Sequence, residues 1–176
     1  ASKKHNNIFL LDGVTGSGKT EIYLDLISDE IKYGRQSLVL LPEIALSKQF
    51  IDRFEKRFNF IPAIWHSAIP NKEKRITWQK VINGEIKIVI GARSALFLPF
   101  SNLSLIVVDE EHDTSYKQED GIIYNARDMA VVRGNLSNAK VILASATPSL
   151  ESVHNANIGK YNRIRLPERF GYAVMP

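Results

Sequence analysis

The feature that most constrains this chain is a series of short apolar runs separated by segments of helical length. Ile8-Phe9-Leu10-Leu11, Leu38-Val39-Leu40-Leu41, Ala63-Ile64-Trp65, Ile88-Val89-Ile90, Leu105-Ile106-Val107-Val108 and Val141-Ile142-Leu143 are apolar at consecutive rather than alternate positions. Strands of that kind hide both faces, as in a parallel sheet covered on each side. Residues 18–33, 46–58, 70–83, 126–137 and 149–157 carry helical spacing, with Ile22, Leu26 and Ile27 on one stripe and Phe50, Phe54 and Phe58 on another. Both stripes read as core packing. The alternation predicts an α/β domain: a mainly parallel, doubly wound sheet with helices on both faces. Ligands of such sheets sit at the carboxyl ends of the strands.

Residues 13–20, Gly13-Val14-Thr15-Gly16-Ser17-Gly18-Lys19-Thr20, match G-x-x-x-x-G-K-[ST] between the first strand and the first helix. The glycines let the backbone turn and bring its N–H groups to phosphate oxygens, and the helix start adds partial positive charge. Lys19 is expected at the β- and γ-phosphates and the Thr20 hydroxyl on Mg²⁺. The motif does not reveal the base, and alone it fits a kinase, a switch GTPase or a motor. The run 105–108 enters Asp109-Glu110-Glu111-His112. Two carboxylates at a buried strand end beside a phosphate loop suit hydrolysis: Asp109 holds Mg²⁺ through its water shell and Glu110 polarises the attacking water. His112 is either a sensor of the γ-phosphate or a packed histidine.

Bulk properties narrow the rest. The 176 residues suffice for one domain and fall short of two. No cysteine is present, which excludes disulfides and thiolate metal sites within these residues. No apolar run approaches the ~20 residues of a membrane span, and residues 1–7 lack the apolar core of a signal peptide. A cytoplasmic protein with no membrane partner is expected. A net charge of +4 is compatible with a polyanionic partner such as nucleic acid.

Several further motifs follow strands. Residues 42–46 (Pro42-Glu43-Ile44-Ala45-Leu46) are expected to begin a helix whose N–H groups bind a phosphate of such a polyanion, or simply to start that helix. Arg93 and Ser94 occupy the equivalent place after the next strand, and Arg93 reads as a backbone-tracking cation or a structural ion pair. Residues 113–127 carry Tyr116, Lys117, Gln118, Tyr124 and Arg127, a mixture suited to base stacking and phosphate contact. Residues 109–128 nevertheless hold seven acids against two bases, which argues for a switch rather than a plain electrostatic groove. Ser145 and Thr147 either hydrogen-bond Asp109 or His112, or belong to a helix cap near Ser149. Lys72-Glu73-Lys74-Arg75 reads as a solvated helix face.

Asp109-Glu110-Glu111-His112 together with residues 13–20, 41–46, 91–100 and Ser145-Ala146-Thr147 resembles the motif set of the superfamily 2 DExH helicases. The wording of residues 13–21, Trp65-His66-Ser67, 91–100 and 109–121 is similar to the primosomal, replication-restart branch of them, and the resemblance runs from Phe9 to Arg169. It implies a RecA-like P-loop NTPase fold, with residues 1–165 as the first, ATP-binding lobe and 166–176 as a linker toward a second lobe. It implies an ATP- and Mg²⁺-dependent 3′→5′ DNA helicase in replication restart, or else a DNA-stimulated ATPase or translocase module that does not unwind. The implied partners are single-stranded and forked DNA, a second helicase lobe in cis, and primosome and single-strand-binding proteins; the implied location is the bacterial cytoplasm, with the nucleoid. In such helicases zinc belongs to a cysteine-bearing insertion and an arginine finger to the second lobe, both outside these residues, so feeble hydrolysis is expected of this chain alone. The glutamine that superfamily 2 helicases place upstream of the phosphate loop to read adenine is absent.

Overall fold

The computed structural model describes residues 6–169. Seven strands form one wholly parallel sheet: β1 (Ile8–Gly13), β2 (Gln36–Leu40), β3 (Ala63–Trp65), β4 (Ile88–Gly91), β5 (Leu103–Asp109), β8 (Lys140–Ser145) and β9 (Asn162–Leu166). Their order is β3-β4-β2-β5-β8-β1-β9. A two-stranded antiparallel ribbon, β6 (Lys117–Gln118) and β7 (Tyr124–Asn125), stands apart from it. The helices are α1 (Lys19–Lys32), α2 (Lys48–Phe58), α3 (Asn71–Ile82), α4 (Ala126–Ser137) and α5 (Leu150–Asn157).

The consecutive apolar residues of each central strand divide between two cores, as the period of two requires. Leu11, Val39, Ile90, Val107 and Ala144 face α1 and α2, meeting Tyr23, Leu24, Ile27 and Phe54. Leu10, Leu40, Val89, Val108 and Leu143 face the other layer, meeting Val81 of α3 and Ala126 and Ala130 of α4. The Phe50–Phe54–Phe58 stripe stacks with ring centroids 5.2 and 5.9 Å apart. Helix α4 comes close to β8 because Gly134 has no side chain: a Cβ there would lie 2.2 Å from Val141 Cγ2.

All six expected strands and five expected helices form. Two local expectations do not. Residues 42–46 do not open an α-helix; Glu43–Ala45 make one 3₁₀ turn, and α2 starts afresh at Lys48, capped by the Ser47 hydroxyl accepting from the Phe50 N–H. Residues 162–165, unassigned in the sequence, and Leu166, the expected first residue of the linker, form β9 and pair with β1. Its polar members are held at the sheet edge, with Arg163 paired to Asp12 at 2.6 Å. The remainder of the expected linker beyond Arg169 lies outside the described residues. Among the described residues no helix is long and apolar enough to cross a membrane.

Candidate nucleotide and nucleic-acid site

Because every main-sheet strand runs the same way, the segments after β1, β2, β4, β5 and β8 gather along one edge of the sheet. The phosphate loop leaves β1 and opens α1 at Gly18. Gly16 and Gly18 adopt φ of 79° and 86°, a region L side chains rarely enter. Gly13 is required for another reason: a Cβ there would stand 2.5 Å from Ser17 Oγ. Among the described residues, the N–H groups of Thr15, Gly16, Gly18, Lys19 and Thr20 donate to no backbone carbonyl. The Ser17 hydroxyl is buried and, among the described residues, without a partner. Lys19 Nζ donates to the carbonyls of Gly13 (2.5 Å) and Val14 (3.2 Å), which holds its charge inside the loop. Free N–H groups, a helix start, an ammonium and an orphaned hydroxyl fit a polyphosphate.

β5 delivers Asp109 two strands away from β1, with β8 between them. The Asp109 carboxylate accepts from Tyr23 Oη at 2.8 Å and from the Glu110 N–H at 3.0 Å. Burial pushes this carboxyl above its ordinary range, against the stabilising pull of those two donors and the Lys19 charge. Glu110 has φ of 48°, backbone strain of the kind that clusters at functional sites. Its half-exposed carboxyl is also raised, first by burial and then by the neighbouring Asp109 charge. A carboxylate tuned upward is a better proton acceptor near neutral pH. His112 Nδ1 lies 2.7 Å from the Ser145 hydroxyl, and that hydroxyl accepts from the Thr147 N–H at 2.9 Å. Of the two partners expected for Ser145 it contacts His112; Asp109 is bonded elsewhere. Thr147 joins through its backbone, and its side chain is exposed.

The residues expected to face DNA divide. Ser94 and Lys117 are exposed and Tyr124 is half-buried, packed edge-on against Phe97 at 5.3 Å. Arg93 makes no ion pair among the described residues; it donates to the carbonyls of Ser115 (3.1 Å) and Lys117 (2.5 Å). Arg93 and Lys117 share one surface recess with Thr114, Gln118 and two acids, Glu119 and Asp120. Pro42 is buried before a turn of three residues, so no α-helix start presents its N–H groups there.

For two residues expected to touch DNA or to couple it to the nucleotide site, burial corrects the direct contact. Tyr116 is 1% exposed, so it cannot stack on a base in this conformation; its hydroxyl faces the carbonyls of Leu40 (3.0 Å) and Asp109 (2.5 Å). Arg127 is also buried and cannot grip a phosphate from there: it donates to Asp128 at 2.9 Å and Ser149 at 2.8 Å and lies 3.5 Å from Glu111. Burial pulls the Arg127 guanidinium pKa down, but the carboxylates of Asp128 and Glu111 outweigh it and hold it above its ordinary value.

Sequence reasoning passed over two residues. Glu111 is fully buried and accepts from the Ser149 N–H (2.7 Å), Ser149 Oγ (3.0 Å) and Ser152 Oγ (2.9 Å), tying the acidic box to the start of α5. The Ser149-x-x-Ser152 spacing at a helix start was its one visible signal. Tyr23 carried no assignment, and nothing in the local spacing reveals its bond to Asp109.

A parallel sheet with a phosphate loop after one strand and a carboxylate pair after another defines the RecA-like fold of phosphate-loop NTPases, and the chain belongs to the DEAD/DEAH box helicase family, whose model matches residues 2–156. Among curated proteins it is similar to the replication restart protein PriA. It is 55% identical to that of Rickettsia conorii over 171 residues, 97% of this chain and 26% of the relative. For Bacillus subtilis PriA the identity is 46%, over 97% of this chain and 21% of the relative. The chain thus spans about a quarter of the length of the curated relatives it matches. Among solved structures, RecG bound to a three-way DNA junction superposes with a TM-score of 0.65 at 24% identity, over 94% of this chain and 21% of that one. The Pyrococcus furiosus Hef helicase domain does so with a TM-score of 0.61 at 20% identity, over 94% and 36%. These two likenesses concern the fold.

Proposed function

We propose that this chain is the ATP-binding lobe of an ATP-dependent 3′→5′ DNA helicase acting in replication restart, with residues 1–165 as the lobe and 166–176 leading toward a second lobe. The observation that carries the reading is the phosphate loop, with its free N–H groups and orphaned Ser17 hydroxyl, opening α1 on the same sheet edge as Asp109 and Glu110. Family membership and the similarity to PriA support it.

In this reading residues 13–20 cradle the phosphates of ATP, and Lys19 leaves its two loop carbonyls for the β- and γ-phosphates. Thr20 and Asp109 hold Mg²⁺, whose role when bound is to neutralise charge on the transferred phosphoryl group. Glu110 orients the attacking water and accepts its proton. His112, through Ser145, passes the state of the nucleotide to the segment that carries Thr147. Arg93, Ser94, Lys117 and Tyr124 contact the DNA strand, with Arg93 and Lys117 on its phosphates and therefore independent of sequence. Tyr116 and Arg127 act from inside, holding the acidic strand end in place. Single-stranded and forked DNA, a second lobe in cis, and primosome and single-strand-binding proteins are the partners, in a bacterial cytoplasmic setting close to the nucleoid.

The test is phosphate release by the full-length protein with and without a single-stranded oligonucleotide. Glu110→Gln is expected to lower DNA-stimulated turnover by about 10² or more while nucleotide still binds, the scale of a lost general base. Normal turnover in that variant would sink the mechanism.

A further inference from the structure

The geometry points to Tyr23 as a positioning residue that fixes the Asp109 carboxylate, beside Thr20, in the orientation that receives Mg²⁺. The inference rests on the proposed role of Asp109 and Thr20 as the metal-holding pair. Tyr23 lies one helical turn after Thr20, on the same face of α1. Its ring is 0% exposed among Leu24, Ile27, Val39 and Val107. A phenylalanine would fill that slot without burying a hydroxyl, which is unfavourable unless hydrogen-bonded. The hydroxyl is spent on one acceptor, Asp109 Oδ2 at 2.8 Å, and the Thr20 side chain borders it.

The consequence lies in the carboxylate. Asp109 Oδ1 already accepts from the Glu110 N–H at 3.0 Å. With Oδ2 held by Tyr23, rotation of the group is blocked from both sides. Each carboxylate oxygen has about two lone-pair sites, so one on each remains for the water shell of a cation. The helix that presents Lys19 to phosphate therefore also sets the carboxylate two strands away. Tyr23 does not touch nucleotide and is not a catalytic residue; it acts through Asp109.

Mg²⁺ is titrated against this chain with a fluorescent, non-hydrolysable ATP analogue, and binding is also measured in EDTA. Y23F is expected to leave affinity in EDTA unchanged and to raise half-saturating Mg²⁺ by roughly three- to tenfold, the scale of one orienting hydrogen bond. D109N is expected to raise it further, and Y23F added to D109N to change nothing more, since the hydroxyl works only through that carboxylate. If Y23F matches wild type while D109N shifts, the positioning role is overturned and the metal-holding role of Asp109 stands. A lower melting temperature in Y23F with unaltered Mg²⁺ dependence overturns it equally, because that is what a purely structural tyrosine does. If D109N itself leaves the Mg²⁺ dependence unchanged, the metal assignment falls and this inference falls with it.

Discussion

Glu111→Ala removes the acceptor at the centre of a buried network, and the structure sets the size of the loss. The Glu111 side chain is 0% exposed and that of Arg127 8%. Four donors converge on the carboxylate: the Ser149 N–H, the Ser149 and Ser152 hydroxyls, and the more distant Arg127. They do not all go unpaired. Ser149 Oγ keeps Arg127 at 2.8 Å, Ser152 Oγ keeps Ser149 Oγ at 3.0 Å, and Arg127 keeps Asp128 at 2.9 Å. What is lost is the acceptor of the Ser149 N–H, the acceptor of one serine hydroxyl proton, because Ser149 and Ser152 can satisfy only one of their two by bonding each other, and one of the carboxylates facing a buried guanidinium. Two buried donors left unsatisfied, at about 1–3 kcal/mol each, together with the weakened counter-charge put the cost at about 3–5 kcal/mol. For a domain of this size that is roughly 6–20 °C in melting temperature, at ~2–4 °C per kcal/mol. Urea unfolding followed by circular dichroism should show a lower midpoint at unchanged slope. The double variant E111A/R127M should lose less than the sum of the single ones, since it leaves no unpaired charge. An E111A domain within about 1 kcal/mol of wild type would refute the view of Glu111 as the anchor of α5.

Two further outcomes follow from the same geometry. Tyr116→Phe leaves the carbonyls of Leu40 and Asp109 without their shared donor, and should cost about 1–3 kcal/mol in urea unfolding; a neutral substitution would contradict the internal role. Burial holds the folded-state pKa of Asp109 above its unfolded value. The folded state then binds that proton more tightly, and stability falls as pH rises from the ordinary carboxylate range through the raised pKa. Asp109→Asn removes the ionisation, so it should melt higher than wild type at neutral pH, with the gap closing as pH falls toward the unfolded pKa. A lower melting temperature at neutral pH would contradict this.

The sheet was legible because its central strands are buried on both faces, and a run such as Leu105-Ile106-Val107-Val108 has no other economical fate in a soluble domain. β9 escaped notice because an edge strand needs no such run: Asn162-Arg163-Ile164-Arg165-Leu166 alternates, and its polar members meet Asp12 or solvent. The phosphate loop and acidic box were legible because local backbone chemistry demands those residue types in that order. Tyr116 and Arg127 were misplaced because residue type and spacing do not say which side of a surface a side chain takes. The Tyr116 hydroxyl meets Leu40, 76 positions away, and Arg127 meets Ser149, 22 positions away. Glu111 and Tyr23 belong to the same class: their partners are brought near only by the packing of β5 against β8 and of α1 on the sheet.

The proposed mechanism depends on residues 13–20 binding a nucleoside triphosphate. Titration of a fluorescent ATP analogue with Mg²⁺ into wild type and Lys19→Ala tests it most directly. Saturable binding by wild type is expected, with at least tenfold weaker binding without the Lys19 ammonium, a loss of about 1.4 kcal/mol or more. Equal affinities in the two proteins would contradict it.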